Sequence, residues 1–170
     1  MDITELLSIR KCRYEHVPHE PTYSAQRLAG QLHVPGRDVA KAVLLRVNGK
    51  GERRFVLAVL AADQVVDFQQ VARLLGARNV ELAAETEIAD HYPDCDFGVL
   101  LPFGSHCGIT TIVDAGLTED DEIWFEGNTR TEAIRMKFAD YVRIEKPVIA
   151  SIQGRFRNDR RQRAWPIGDT

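Results

Sequence analysis

The apolar positions of the chain change period from segment to segment, and each change marks an element. Leu6, Leu7 and Ile9 follow Asp2 and Thr4, either of which caps a short first helix. Residues 14–19 form a short extended piece that Pro21 ends. Ser24 opens a second helix, in which Leu28, Ala29, Leu32 and His33 recur at helical spacing until Pro35-Gly36 stops it. Residues 39–47 and 54–61 are strand-like runs joined by Asn48-Gly49-Lys50-Gly51, which predicts a hairpin. Asp67 caps a third helix carrying Phe68, Val71, Leu74 and Leu75, with Gly76 as its stop. A short strand near 80–82 and a helix over 85–91 follow, then a Gly- and Pro-containing segment at 98–108. Further strands are predicted at 109–113, 122–125 and 132–136, and a last short helix at 139–142 before Pro147.

Strands and helices are mixed without regular βαβ alternation. The pattern therefore predicts an α+β or irregular α/β fold with a curved mixed sheet at its centre and helices around it. A chain of 170 residues suits one domain, placed here at 1–150. The remainder, 151–170, is an arginine-rich tail without apolar periodicity, expected to be mobile, with Phe156 and Trp165 as its docking features. No apolar run nears the roughly 18 residues that span a bilayer. The start Met1-Asp2-Ile3-Thr4-Glu5 is acidic and no apolar signal region follows it. A cytoplasmic protein with no membrane partner is expected.

A net charge of −3 argues against a protein that coats nucleic acid non-specifically. The charge is segregated, however. Residues 37–54 hold six basic side chains against Asp38 and Glu52, whereas 81–96 and 114–126 hold twelve acids and no Lys or Arg. Two readings stay open: solvated surface, or one basic face for a polyanion. Cys12, Cys95 and Cys107 have no CxxC spacing, and His106-Cys107 has no second ligand at useful spacing, so reduced thiols and no metal are expected. His16 and His19 sit beside Pro18 and Pro21 and read as loop residues.

Three features carry candidate chemistry. Lys41 lies amid aliphatics on a strand, with Val39, Val43 and Leu45 on its own face and Ala40, Ala42 and Leu44 on the other. Burying an ammonium without a partner is costly. Lys41 therefore either snorkels to water or points into a pocket that holds an anion or lowers its pKa. Gly98-Val99-Leu100-Leu101-Pro102-Phe103-Gly104 puts two glycines and a proline into an apolar run. Such a loop either makes a sharp turn between core strands or turns its N–H groups inward as a carbonyl clamp. It lacks GxxxxGK[ST], which excludes a phosphate loop. Glu126-Gly127-Asn128-Thr129 is a second Gly turn at a strand end. No GxSxG elbow, HExxH or zinc-deaminase pattern is present.

In order and spacing these pieces resemble the YbaK-like aminoacyl-tRNA deacylase family, which includes the editing domain of bacterial prolyl-tRNA synthetase. The marks are 39–43, 56–62, Leu74-Leu75-Gly76, Gly98-x-x-x-Pro102-Phe103-Gly104, Val113-Asp114 with Leu117, and 125–128 leading to Ile134-Arg135-Met136. The resemblance covers about Tyr14 to Pro147. It implies a partly barrel-like fold and hydrolysis of the ester that joins a wrong amino acid to the tRNA 3′ end. By the same resemblance Lys41, Gly98 and Pro102 are the catalytic candidates, and Phe103, Gly104, Gly127 and Asn128 the substrate-binding ones. The implied partner is the tRNA acceptor end, with an aminoacyl-tRNA synthetase as a second candidate. No cofactor and no metal are implied. The chain departs from the family pattern at Leu101, where a small or polar residue is common, and at Glu126, where a small one is; both bear on amino-acid specificity. A non-catalytic tRNA- or synthetase-binding module of the same fold is the alternative, and a small-molecule binder a third.

Overall fold

The computed structural model describes residues 1–154 apart from Lys50 and Glu52. The tail beyond Gly154, with Phe156 and Trp165, lies outside the described residues, as does part of the hairpin turn.

Three helices begin where a side chain satisfies the first free amides. Asp2 accepts from Thr4 N and Glu5 N before α1 (Ile3–Ile9), Ser24 from Arg27 N before α2 (Ala25–Leu32), and Asp67 from Gln70 N before α3 (Phe68–Leu75). Gly76, left-handed at φ +61°, closes α3. Two more helices follow, α4 (Glu85–His91) and α5 (Phe138–Glu145). The last is longer than its sequence pattern suggests. It begins directly at the end of a strand and runs to Lys146, which caps it in the left-handed region.

Among the described residues ten strands form three sheets. In the largest, β2 (Ala40–Asn48) lies between β5 (Asn79–Leu82) and β3 (Arg53–Ala61), both antiparallel to it. The same sheet continues in parallel from β3 to β6 (Thr110–Asp114) and β9 (Val148–Ala150). A three-stranded antiparallel sheet joins β1 (Tyr14–Pro18), β8 (Glu132–Lys137) and β7 (Glu122–Glu126). The small pair is β4 (Val65–Val66) with β10 (Gln153–Gly154). The α+β expectation thus holds, but the sheets do not close into a continuous barrel. Among the described residues the two large ones are joined by one parallel bridge, Val39 to Trp124.

Alternation on β2 and β3 sends side chains into two cores. Ala40, Leu44, Leu57 and Val59 pack with α1, α5 and the inner face of the three-stranded sheet. Leu45, Val47, Val56, Ala58 and Leu60 pack with Val71 of α3 and with Ile152. Buried on both faces from Val56 to Leu60, β3 reads there as an unbroken apolar run. A third cluster joins Leu28 and Ala29 of α2 to Val39, Ala62, Ala133 and Trp124 over the seam between the sheets.

The basic hairpin is not a free cationic stripe. Arg46 pairs with Glu81 (2.8 Å) and Glu87 (3.1 Å), and Arg53 also pairs with Glu87. Acids of β5 and α4 thereby neutralise much of the cationic end of the hairpin. Among the described residues no helix is long and apolar enough to cross a membrane.

Candidate functional site

Lys41 stands on the interior strand β2, on the face it shares with Val39, Val43 and Leu45. Its ammonium donates to the carbonyls of Ala62 (3.4 Å) and Gln64, in the turn that follows β3. Burial pulls its pKa down from 10.5 to about 8, with the nearby Asp63 charge opposing the shift. Two of its three donors are used in this way, and the third has no partner among the described residues.

The 98–104 loop has two halves with different physics. Gly98 sits at φ +82°, where a side chain is strained, in a turn closed by Val99 N donating to Asp96 O (2.9 Å). From Leu101 to Gly104 the chain is buried. Tyr141 donates its hydroxyl to Pro102 O (2.6 Å), and Tyr92 donates to Phe103 O (3.2 Å). The Phe103 ring packs edge-on to Phe125 and Tyr141 and is fully buried, so its side chain belongs to the core. Gly104 N donates to Thr111 Oγ1 (3.0 Å). The buried Glu145 of α5 then accepts from Ser105 N (2.9 Å), Ser105 Oγ (2.6 Å) and the Thr111 hydroxyl. This half is bolted to the core, and it holds the Gly98 half at a set place.

Leu101 also helps to line a cavity of about 340 Å³ with Tyr92, Cys95, His106 and Cys107. Lys41 does not line it. Burial pushes the Cys95 thiol up to about 11 and raises that of Cys107, which leaves little thiolate at neutral pH and makes neither a ready nucleophile.

Gly127 and Asn128 lie beside the Gly98 turn. Asp96 N donates to Asn128 O (2.8 Å), and Arg130 donates from its backbone N to Asp96 Oδ2 (3.0 Å) and from Nη2 to Phe97 O (2.6 Å). The Asn128 side chain accepts from Ile3 N (2.9 Å) and donates to Met1 O (2.7 Å), so it ties the amino end of the chain to this turn. At Gly127 a Cβ would stand 2.6 Å from Glu132 Cγ, a close approach that only glycine allows. The segment before α2 joins the cluster, since Thr22 N donates to Arg130 O (3.1 Å) and His19 N to Thr131 O (2.8 Å).

The remaining members are polar groups that the sequence pattern does not single out as chemistry. Among the described residues, four buried side-chain polar atoms have no hydrogen-bond partner: His19 Nε2, Thr22 Oγ1, Asp63 Oδ1 and Glu126 Oε1. Three of them sit on segments gathered around Arg130, and Asp63 sits beside Lys41. Each such atom costs about 1–3 kcal/mol, so their concentration in one region calls for an explanation. Glu126 ends β7 on the alternation Glu122, Trp124, Glu126, which in sequence reads as a solvent-facing row. Folding instead turns that row partly inward. Trp124 bridges to Val39, and both pack in the cluster at the seam. By alternation Glu126 and Lys41 emerge on the side that Trp124 and Val39 share. No ion pair joins them among the described residues. Burial raises the Glu126 carboxyl from 4.5 to about 7, with Arg130 opposing the shift and Asp96 adding to it.

Among the described residues no group of three or more His, Cys, Asp and Glu is placed to hold a metal ion. The aminoacyl-tRNA editing domain model matches residues 19–144. The multifunctional Ser/Thr-tRNA deacylase ProXp-y of Escherichia coli (strain K12) is 32% identical over 149 residues, which cover 87% of this chain and 89% of that protein. Two solved structures share the fold at low identity. One, a hypothetical protein, has a TM-score of 0.78 and 17% identity over 89% of this chain and 99% of its own. The other, a candidate trans-editing enzyme for prolyl tRNA synthetase, has a TM-score of 0.70 and 16% identity over 90% of this chain and 95% of its own.

Proposed function

This chain belongs to the aminoacyl-tRNA editing domain family, and on that premise we propose that it clears mischarged tRNA by hydrolysing the aminoacyl ester, with serine and threonine as the first candidate amino acids. The observation that carries the reading is Lys41, an ammonium half-buried on an interior strand with one donor left over. An aminoacyl ester is already activated, so catalysis needs placed donors, a positioned water and a dry cleft. In the proposed reaction the water oxygen bonds to the acyl carbon and the bond from that carbon to the ribose oxygen breaks. The ribose hydroxyl regains a proton and the amino acid leaves. The free donor of Lys41 holds the acyl oxygen as charge develops on it, and the Gly98 turn sets the height of the backbone beside the ester. Pro102 fixes the way into the buried half of the loop, and Gly104, Gly127 and Asn128 support the walls. No protein group is assigned as base; the neighbouring hydroxyl of the terminal ribose serves to position the water. The tRNA acceptor end is the partner, and a synthetase that hands over its product is a second candidate.

A deacylation panel tests this reading. Purified protein is expected to release serine and threonine from mischarged tRNA well above the buffer rate, with alanyl- and cysteinyl-tRNA as comparisons. Failure on all four substrates overturns the enzymatic reading; salt-sensitive retention of tRNA without hydrolysis then leaves a binding module of the same fold.

A further inference from the structure

We propose that Glu126 receives the α-ammonium group of the aminoacyl ester, so that the protein reads the free amine as well as the ester; this rests on the deacylase reading above. Glu126 Oε1 is buried, and nothing in the described protein donates to it. The cation that acts on it, Arg130, is engaged elsewhere. Its guanidinium donates to Phe97 O (2.6 Å) and stacks over the Tyr23 ring at 4.7 Å, and it forms no ion pair with Glu126 or Asp96. The charged groups acting on Glu126 are Arg130 and Asp96, so the region carries a net negative charge whenever Glu126 is ionised.

A buried carboxylate of this kind is matched best by a cation with several donors. A neutral hydroxyl supplies one hydrogen bond but leaves the charge uncompensated. An ammonium supplies both. By strand alternation Lys41 lies on the same side of the seam, and in the proposed site its ammonium supplies the opposite polarity. An aminoacyl ester has the complementary polarity, with an electron-rich acyl oxygen at one end and a cationic amine at the other. Bound in that sense, it turns its oxygen to Lys41 and its amine to Glu126. Blocking the amine removes the cation and adds an acyl group where Glu126 stands.

Competition between hydrolysis of seryl-tRNA and two stable mimics tests the proposal. One mimic is the serine amide of 3′-amino-3′-deoxyadenosine; the other is its N-acetyl derivative. The wild-type protein is expected to be inhibited at least tenfold better by the free amine. In Glu126→Gln that preference is expected to vanish, while the acetylated mimic inhibits both proteins equally. A wild type that hydrolyses seryl-tRNA but does not prefer the free amine overturns the proposal and leaves the deacylase reading intact, as does a preference that survives in Glu126→Gln. Loss of rate in Glu126→Gln confined to seryl-tRNA and absent for alanyl-tRNA also overturns it, because that pattern marks side-chain hydroxyl recognition. Thermal unfolding keeps the test clean. Replacing a buried, unpaired carboxylate by a neutral amide is expected to leave the Glu126→Gln midpoint at pH 8 no lower than that of the wild type.

Discussion

Replacing Lys41 by alanine is expected to lower the hydrolysis of mischarged tRNA by about 10²–10³-fold, the usual cost of removing one donor to a developing oxyanion. The loss is expected in kcat rather than in KM, because the donor gains most in the transition state. The fold should survive. The lysine stem lies half-buried on β2 and its ammonium is held by two carbonyls at a turn. Truncation frees the Ala62 and Gln64 carbonyls but also removes a charge whose burial is unfavourable. Arginine is not a substitute, since a planar fork does not fit the space of a point charge. The pH profile adds a second check. With a pKa of about 8, Lys41 carries its charge below that value and loses it above. Glu126, at about 7, gains its charge as pH rises. After subtraction of spontaneous ester hydrolysis, kcat/KM is expected to rise toward pH 7 and fall beyond pH 8, a narrow bell reporting the free enzyme. Full activity of Lys41→Ala in single-turnover assays would remove the residue from the mechanism.

Gly104→Ala is expected to be the most damaging small change for stability. A Cβ there would lie 2.6 Å from Ile109 O and 2.6 Å from Thr111 Oγ1, one of them backbone and the other fixed by Glu145. Neither gives way cheaply. The Gly104 carbonyl also accepts from Cys107 N and Ile109 N, so the loop has no slack. Overpacking of this sort costs about 1–3 kcal/mol or more, and loss of the bond from Gly104 N to Thr111 adds about 1 kcal/mol. At about 2–4 °C per kcal/mol for a chain of this size, the thermal midpoint should fall by about 10 °C. The control is Gly30→Ala in α2. Nothing stands within 4 Å of a Cβ at Gly30, and the helix gains up to about 1 kcal/mol from the better helix former. Equal midpoints for the two variants would show that the 104 contact is soft.

Much of this architecture is legible in the residues themselves. Asp2, Ser24 and Asp67 announce helix starts because each offers a short acceptor just before an apolar helical pattern, and each makes that bond. Lys41 stands out because it breaks the binary pattern of its strand. The strands β4, β9 and β10 are not legible, since two or three residues are too few to display a period and the pairing comes from distant chain. Glu126 attracts notice only as the start of a Gly turn and as a departure from a family pattern. Its burial depends on the Val39–Trp124 bridge, a contact across the chain that no local spacing encodes. Thr22, Asp63 and His19 fail to signal for the same reason. Short polar residues in loops look alike until the packing is known.

The far end of the described chain has a consequence for synthesis. β9 lies parallel on β6, the β10 pair covers β4, and Ile152 is wholly buried beneath α3 and the sheet. Asp114, at the close of β6, accepts from both Ile152 N (2.9 Å) and Gln153 N (3.1 Å). A ribosome therefore delivers the keystone of the second core last. Until residues 148–154 emerge, the nascent chain holds β6 with an unpaired edge and α3 over a gap, so native closure of the second core waits for them.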